Sequence, residues 1–312
     1  MAGGLEPGGT VLVACSGGAD SLALAAAARF EARKAGLHCG LVTVDHGLQD
    51  GSADRAASLA RWAVRTGFDP VVPVAVEVTG DGGPEAAARD ARYGALIAVA
   101  KQHGAAAVLL GHTRDDQAET VLLALARGAG PRGMAGMPER RVRDGVALLR
   151  PLLDVARADT RKACAVLGLT PWDDPHNGDP AYARARVRAA LPTLVAALGG
   201  DVVDNLARTA RLLAADAEAL DALAASVIAK AVDPDGALCL ESLDELPTAI
   251  RTRVLHGWAK SLGVNGAALS HRHVDALDAL VTRWHGQGPA ALPGGIEIVR
   301  RSGKLTKVSN GR

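Results

Sequence analysis

The first two-thirds of the chain alternate short apolar runs with longer segments of helical spacing. The apolar runs predict strands at 10–15, 38–44, 71–76, 106–110 and 146–149. The segments between and after them predict helices at 21–35, 52–66, 84–102, 115–127, 158–168 and 181–191. Strands that alternate with helices of this length are typical of a parallel sheet covered on both faces. We therefore expect residues 1–198 to form an α/β domain with a doubly wound, mostly parallel sheet.

The pattern changes at Gly199-Gly200-Asp201, where two glycines can stop a helix and an aspartate can cap the next one. The remaining segments predict helices at 203–231, 244–262 and 270–283, and strands at 296–301 and 304–308. The two strands flank Ser302-Gly303, which is a hairpin signal. These features predict a second, smaller helical domain over residues 199–312 that ends in a hairpin.

Composition adds limits to this picture. A length of 312 residues suits about two domains, and 48% hydrophobic with 22% charged residues is ordinary for a globular protein. The net charge is only +1, so any basic surface must be local. One candidate is the C-terminal tail, which has five cations and no acid after residue 297: Arg300, Arg301, Lys304, Lys307 and Arg312. Two interpretations remain open, a solvated tail and a surface that contacts RNA phosphates.

The cysteines and the N-terminus bear on location. The chain has four cysteines and no CxxC pair, so we expect free thiols in a reducing compartment. Residues 1–9 carry no positive stretch, and the apolar run at 11–15 is too short for a signal peptide or a membrane span. We therefore expect a soluble, cytoplasmic protein without a membrane partner.

A loop between the first strand and the first helix has the composition of a phosphate site. It comprises Ser16, Gly17, Gly18, Ala19, Asp20 and Ser21. The glycines allow a ligand to approach the backbone, the serines offer hydroxyl groups, and the helix directs free N–H groups at the loop. It lacks the Gly-Lys-Ser/Thr ending of a P-loop, so we expect it to hold pyrophosphate with a metal ion. A GxGxxG match at 128–133 follows a helix rather than a strand, which argues against a dinucleotide site.

Two further polar clusters are predicted at the same edge of the sheet, because ligands bind beyond the carboxyl ends of parallel strands. The second strand ends at Asp45 and His46, and the fourth is followed by residues 111–120. In the latter segment His112, Asp115, Asp116 and Glu119 have the spacing of one helix face. Three carboxylates on one face require a cation between them, which could be Mg²⁺, a lysine ammonium or an arginine. The alternative is a solvated helix start, where acids are favoured.

These segments together resemble the tRNA(Ile)-lysidine synthetase family of PP-loop ATP-pyrophosphatases, whose fold is adenine nucleotide alpha hydrolase-like. The matching segments are SGGADS at 16–21, VDHGL at 44–48, EAAARDARY at 85–93, GHTRDDQAET at 111–120, the Gly/Met loop at 128–137, RPLLD at 150–154 and WDDPHNGDPAYARARVR at 172–188. The first motif specifies only a PP-loop enzyme, whereas the later ones are more specific. Gln49 and Thr113 depart from the family, which usually has Arg and either His or Asn there. Longer members also carry a further C-terminal domain.

The resemblance implies a defined reaction. ATP and Mg²⁺ would adenylate O2 of the wobble cytidine in tRNA(Ile) with a CAU anticodon, and the ε-amine of free lysine would then attack C2 and expel AMP. The loop at 16–21, with Asp45 and His46, would bind ATP, and Asp20 would help to hold Mg²⁺. By the same matching, Asp116 and Glu119 would recognise or position the lysine amine. Stabilisation of phosphate or of the reacting base would fall to Arg92, His112 and Arg184.

Other interpretations remain open beside this one. A PP-loop thiolation enzyme would need paired or exposed catalytic cysteines, and a non-tRNA amidating synthetase would need a glutaminase module. A non-catalytic nucleotide-binding regulator would not need the acidic face at 112–119. The basic segment 127–161 is expected to hold the anticodon stem, and a homodimer is one expectation for the oligomeric state.

Overall fold

The computed structural model describes residues 6–47, 51–78, 84–241, 243–266 and 268–308. Gln49 and Arg312, which the sequence singled out, lie outside the described residues. The chain divides into two compact units, Met1–Ala214 and Ala215–Arg312. The boundary expected from the sequence falls between two helices, whereas the compact units divide inside the second of those helices.

The first unit is built on a six-stranded sheet with the order β3-β2-β1-β4-β6-β5. Its elements are β1 (Thr10–Ala14), α1 (Ala19–Lys34), β2 (His38–Asp45), α2 (Ser52–Thr66), β3 (Val71–Ala75), α3 (Pro84–Gln102), β4 (Ala107–Leu110), α4 (Arg114–Ala126), α5 (Gly130–Met134), β5 (Arg140–Arg143), β6 (Val146–Leu149), α6 (Arg157–Val166), a 3-10 turn (Pro175–Gly178), α7 (Ala183–Leu198) and the start of α8 (Val202–Ala231). All pairings between neighbouring strands are parallel except that of β5 with β6. The mostly parallel α/β fold expected from the sequence is confirmed.

Alternate residues of the central strand pack on opposite faces of the sheet. Val11 and Val13 join the hydrophobic cluster that includes α1, whereas Leu12 joins the cluster that includes α3. A strand buried on both faces has no polar side, which explains why the strands appear in the sequence as continuous apolar runs. Strand β5 was not predicted, because three of its four residues are arginines and it lies at the sheet edge.

The order of the strands in the sheet leaves a crevice in which a ligand can bind. The chain builds outward from β1 through β2 to β3, then crosses to β4 and continues through β6 on the other side. The neighbours β1 and β4 are therefore a switch point, where the loops after adjacent strands diverge and leave a crevice. Gly111, directly after β4, keeps this region narrow, because a Cβ there would lie 3.2 Å from the backbone of Asp20 and Ser21.

The second unit contains more strand structure than expected. Its elements are the end of α8, β7 (Leu238–Cys239), α9 (Thr248–Ser261), α10 (His271–Thr282), β8 (Ala290–Leu292), β9 (Ile296–Arg301) and β10 (Lys304–Lys307). The predicted hairpin is confirmed, with positive φ at Ser302 and Gly303. It belongs to a four-stranded antiparallel sheet of order β7-β10-β9-β8. Strands β7 and β8 have only two and three residues, too few to show a period of two.

The last feature of the helices is their length and apolar composition. Among the residues described, no helix combines the length and the apolar composition that such a span needs.

Candidate active site

The loop between β1 and α1 is held in shape by its own hydrogen bonds. The Ser16 N–H donates to Ser21 Oγ at 3.2 Å, and that hydroxyl donates to the Gly18 carbonyl at 2.9 Å. The Trp172 N–H donates to the Gly17 carbonyl at 3.0 Å, which joins the loop to the segment before the 3-10 turn. No side chain caps α1, so its first N–H groups remain available to an anion. The geometry is that of a preformed anion cradle.

A cavity of about 740 Å³ opens beside this loop. It lies between the ends of β1, β2 and β4, and it is also lined by α2, α3 and residues 168–174. Its volume suits a nucleotide-sized ligand. The polar and charged side chains that line it include Ser16, Ser21, Asp45, His46, Arg55, Arg92 and His112. The phosphate loop, the end of β2 and His112 after β4 therefore meet at one cavity.

One wall of the cavity contains Arg92, which is cationic, and His112, which is neutral. Burial lowers the pKa of Arg92, whose guanidinium lies 5.5 Å from the centre of the Tyr93 ring, and none of the ion pairs between described residues involves it. Burial is also the main reason that the pKa of His112 falls to about 3, with Arg150 and Arg92 acting in the same direction and Asp116 opposing them. The buried Nδ1 of His112 has no hydrogen-bond partner. A guanidinium that no described carboxylate pairs with, beside a neutral imidazole, is an environment that favours an anionic ligand.

The acidic segment after β4 is arranged differently from the prediction. Helix α4 begins at Arg114, so His112 precedes it and does not share its face. Thr113 is the N-cap: its N–H and hydroxyl both donate to Asp116 Oδ2, at 2.8 and 3.0 Å. Thr113 and Asp116 also form a capping box, in which the Thr113 hydroxyl accepts from the Asp116 N–H and the Asp116 carboxylate accepts from the Thr113 N–H, so the departure at Thr113 has a structural role. His112 faces the cavity, whereas Asp116 and Glu119 are not among the residues that line it.

The cation between the carboxylates is arginine. The Arg157 guanidinium contacts Asp116 Oδ1 at 2.8 Å, Glu119 Oε1 at 3.0 Å and Asp20 Oδ2 at 3.6 Å. Glu119 is fully buried, and Arg188 donates to both of its oxygens at 2.9 and 3.2 Å. Asp116, Glu119 and Asp20 thus converge on Arg157, which the sequence interpretation did not identify.

Arg184 lies at the edge of the same group. Its guanidinium is 3.9 Å from Glu119 Oε2 and donates to Thr120 Oγ1 at 3.3 Å. Arg184 and Arg188 project from α7, one turn apart, so a single helix supplies two of the three cations. Arg92, the other arginine assigned from the family motifs, lines the cavity instead.

Asp20 is not among the residues that line the cavity. It accepts a hydrogen bond from Thr160 Oγ1 and lies beside Arg157. Burial nevertheless raises its pKa, although Thr160 and Arg157 act to lower it. In the part of the chain that the structure describes, no three His, Cys, Asp or Glu side chains are grouped to hold a metal. A protein-only metal cage is therefore absent there, and a single carboxylate fits an ion that arrives with a nucleotide.

Two further residues beside the loop were missed from the sequence. Trp172 lines the cavity, and the Arg55 guanidinium lies 4.3 Å from the centre of its ring. Trp172 stands within the matched segment 172–188, but its contact with the loop depends on chain regions far apart in sequence. Only the folded structure brings α2, the loop and this tryptophan together.

The basic tail, described within the second unit, is only partly available for a ligand. Arg300 donates to the carbonyls of Leu280 and Val281 at the end of α10, at 2.9 and 3.0 Å. Lys304 pairs with Asp233 at 2.7 Å. Arg301 and Lys307 remain exposed. The interpretation as an RNA-contacting tail is thereby narrowed to these two residues within the described chain.

Comparisons with known proteins agree along most of the chain. Residues 6–194 match the family model of the PP-loop domain, and residues 238–306 match that of the TilS substrate binding domain. The chain is 65% identical to the tRNA(Ile)-lysidine synthase of Salinispora tropica over 97% of this chain and 92% of that protein. It is 54% identical to the synthase of Streptomyces coelicolor over 97% of this chain and 86% of that protein.

A solved structure of low sequence identity shares the fold. The U34-tRNA thiolase NcsA of Methanococcus maripaludis, in a structure with its [4Fe-4S] cluster, superposes with a TM-score of 0.56 at 18% identity. The match covers 67% of this chain and 74% of that chain. At this identity the likeness concerns the fold alone.

Proposed function

The chain belongs to the tRNA(Ile)-lysidine synthase family, and we propose how its residues carry out the ATP-dependent ligation of that family. By this relationship the protein is a ligase that forms lysidine in tRNA(Ile). The proposal concerns the roles of individual residues, the metal ion and the contacts with tRNA. The observation that carries it is the cavity at the β1/β4 switch point, which joins a preformed anion cradle to a wall that contains Arg92 and His112.

In the adenylation step, the loop at 16–21 holds the β- and γ-phosphates, and Asp45 and His46 contact the rest of the nucleotide. The O2 atom of the wobble cytidine attacks the α-phosphorus, and pyrophosphate leaves from the same atom. Arg92 and neutral His112 stabilise the charge on the phosphate oxygens, because donors fixed in a dry site need no reorganisation. The adenylated oxygen is then a good leaving group, which the original carbonyl oxygen is not.

Mg²⁺ fits this site as an ion that the triphosphate brings with it. Asp20 would supply one carboxylate from within the loop, and burial, the largest influence on that carboxyl group, raises its pKa. The hydroxyl groups of Ser16 and Ser21 are the adjacent oxygen donors. When bound, the ion would neutralise phosphate charge.

The lysine site is supported by the charge balance of the acidic cluster. Four carboxylates, Asp20, Asp115, Asp116 and Glu119, are grouped with three guanidinium groups, Arg157, Arg184 and Arg188. This concentration of negative charge suits a lysine ammonium near Asp116. Burial acts to raise the pKa of Asp116, but Arg157 and the Thr113 N–H outweigh it and hold the pKa below its usual value. Asp116 therefore serves as an electrostatic anchor rather than as a base.

In lysine transfer, the neutral ε-amine attacks C2 of the cytidine, and the C2–O2 bond breaks with departure of AMP. The amine loses its proton as the new C–N bond forms. Arg184, at the edge of the cluster, is positioned by Glu119 and Thr120 and stabilises the reacting base or the departing phosphate.

For tRNA, we propose contacts from both units. Arg140 and Arg141 are exposed on the edge strand β5 and would meet phosphates of the anticodon stem. Arg301 and Lys307 would contact another part of the tRNA. A specific base in an anticodon loop can be read because it is unstacked. The enzyme would work in the cytoplasm, where its tRNA substrate is found, and a homodimer remains a prediction that sedimentation velocity can test.

A PP-loop thiolation enzyme is less compatible with the thiols. Cys15, Cys39 and Cys164 are buried and Cys239 is half-buried, so none of the described cysteines forms an exposed pair. Burial also raises the pKa of Cys15 and takes that of Cys39 to about 11, which leaves both thiols protonated and unreactive at neutral pH.

The test combines purified protein, ATP, Mg²⁺, labelled lysine and tRNA(Ile) with a CAU anticodon. We expect tRNA-dependent release of pyrophosphate and lysidine in the digested nucleosides, identified by mass spectrometry. The methionine tRNA with the same anticodon should be a poor substrate. The Asp20→Asn variant is the matched control and should lose pyrophosphate release while it keeps its thermal unfolding profile. An unchanged wobble nucleoside, or a thiolated one that appears only with added sulfur donor, would contradict the proposal.

A further inference from the structure

Arg157 connects two parts of the site that come from different motifs. It is the first residue of α6, and its backbone N–H donates to Asp115 Oδ2 at 2.8 Å. The Arg114 N–H donates in turn to the Val155 carbonyl at 3.0 Å. These bonds anchor the start of α6 to the start of α4. They therefore fix the backbone position from which the Arg157 side chain extends between α4 and the phosphate loop.

The three contacts of this guanidinium are unequal. Its Nη2 and Nη1 atoms are 2.8 and 3.0 Å from Asp116 and Glu119, whereas its Nε atom is 3.6 Å from Asp20. The two carboxylates proposed to receive lysine are therefore held by direct charge-assisted hydrogen bonds. The carboxylate of the phosphate loop is held more weakly, and it has Thr160 as a second partner.

We propose that Arg157 is a positioning residue for lysine transfer. It holds the partly exposed Asp116 carboxylate, with the buried Glu119 carboxylate beside it, in the arrangement that receives the lysine amine, and it ties that arrangement to Asp20 of the phosphate loop. This inference rests on the proposed function, in which Asp116 and Glu119 serve the amine step. Because the contacts with those two residues are the short ones, lysine transfer depends on Arg157 more than adenylation does.

A planar guanidinium is needed for this task. Its donors point in fixed directions and reach three carboxylates at once, whereas a lysine ammonium is a compact charge on a flexible stem. Arg157→Lys would keep the positive charge but lose the fixed spacing of the carboxylates. Arg157→Gln would remove the charge as well and leave Asp116 and Glu119 to repel each other more strongly.

The experiment separates the two half-reactions in the full-length enzyme. Pyrophosphate release with tRNA and ATP reports adenylation, and a chase of preformed adenylated tRNA with lysine reports transfer. For Arg157→Lys we expect the rate constant for transfer to fall, or the KM for lysine to rise, by about tenfold. The loss should reach about 100-fold for Arg157→Gln, which lies within the range for directly coupled side chains. Adenylation should change by less than about threefold, consistent with the longer contact to Asp20.

Arg161 provides a matched control on the same helix. It lies one turn further along α6, its side chain is 59% exposed, and it pairs with Asp173 at 2.9 Å. Arg161→Lys and Arg161→Gln should leave both half-reactions and the KM for lysine unchanged. Thermal unfolding of all four variants checks folding, and if Arg157→Gln does not fold, the charge-preserving Arg157→Lys decides the outcome.

A double-variant comparison tests whether Arg157 acts through Glu119. If it does, adding Arg157→Gln to Glu119→Gln should slow lysine transfer little further. Multiplication of the two single losses would overturn the positioning role, as would Arg157 variants that match the Arg161 variants or that lose both half-reactions equally. A wild-type enzyme that makes no lysidine would instead contradict the proposed function itself, which distinguishes the two failures.

Discussion

Replacement of Glu119 by Gln should expose how strongly the acidic cluster depends on its charge. The side chain is fully buried and accepts hydrogen bonds from Arg157 at 3.0 Å and from Arg188 at 2.9 and 3.2 Å. Gln keeps the shape and one acceptor oxygen, but its amide group places N–H donors against arginine N–H donors. The substitution therefore removes the negative charge that these buried cations share.

The magnitude follows from the surroundings. Removal of one partner from a buried ion pair costs about 3–5 kcal/mol. Here the loss is smaller, because the side chains of Arg157 and Arg188 are 18% and 33% exposed and Arg157 keeps Asp116. We expect the free energy of unfolding of the first unit to fall by about 2–3 kcal/mol. For a unit of this size that corresponds to a decrease of about 5–10 °C in Tm.

Two measurements check this expectation. Calorimetry gives the shift in Tm, and hydrogen exchange resolved by mass spectrometry should show faster exchange in α4 and α7 with the second unit as internal reference. Glu31→Gln is the control, because its pair with Lys34 at 3.4 Å is exposed and should contribute less than about 0.5 kcal/mol. Below its Tm the Glu119→Gln enzyme should still accumulate adenylated tRNA while lysine transfer slows. A Tm equal to that of Glu31→Gln would refute the buried network, and equal loss of both half-reactions would refute its link to the amine step.

Two other predictions concern pH and salt. Because the pKa of His112 is about 3 in the folded state against 6.5 for an ordinary histidine, the unfolded chain takes up its proton first as pH falls. The free energy of unfolding should therefore decrease as the pH falls from about 6.5 to 3, by up to about 1.4 kcal/mol per pH unit. In urea unfolding at several pH values, His112→Asn should reduce that slope. Equal slopes for the variant and the wild type would contradict the prediction. For tRNA binding, Arg301→Ala and Lys307→Ala should each lower the salt-dependence slope by about one, while Lys304→Ala, whose ammonium already pairs with Asp233, should not. Equal slopes for all three variants in a binding titration would show that the tail is a solvated surface that does not contact RNA phosphates.

Much of the first unit follows from local sequence. Its parallel strands are buried on both faces and appear as apolar runs, and its helices have amphipathic or Ala-rich patterns of sufficient length. The edge strand β5 has the composition of an exposed arginine-rich loop, and β7 and β8 are too short for any period. These three strands form because each pairs with a neighbouring strand, and such pairing depends on the assembled sheet and not on the local sequence.

The candidate site was predictable in part for a similar reason. The loop at 16–21 can be recognised because glycine, serine and a following helix start act locally. Convergence of the clusters after β1, β2 and β4 also follows from sequence, since carboxyl ends of parallel strands share one edge. The helical spacing of 112–119 misled only at His112, because Thr113 is the N-cap and α4 starts at Arg114, two residues after His112.

The sequence by itself determined the chemistry available to this protein: a phosphate loop, an acidic segment and the motifs of a family that activates a tRNA base. Only the tertiary structure decided which groups neutralise one another. Arg157 and Arg188 lie 38 and 69 residues from Glu119 along the chain, yet both contact its carboxylate. No local pattern specifies such partners, because burial of charge is compensated by whatever cation the packing of α4, α6 and α7 brings within hydrogen-bond distance.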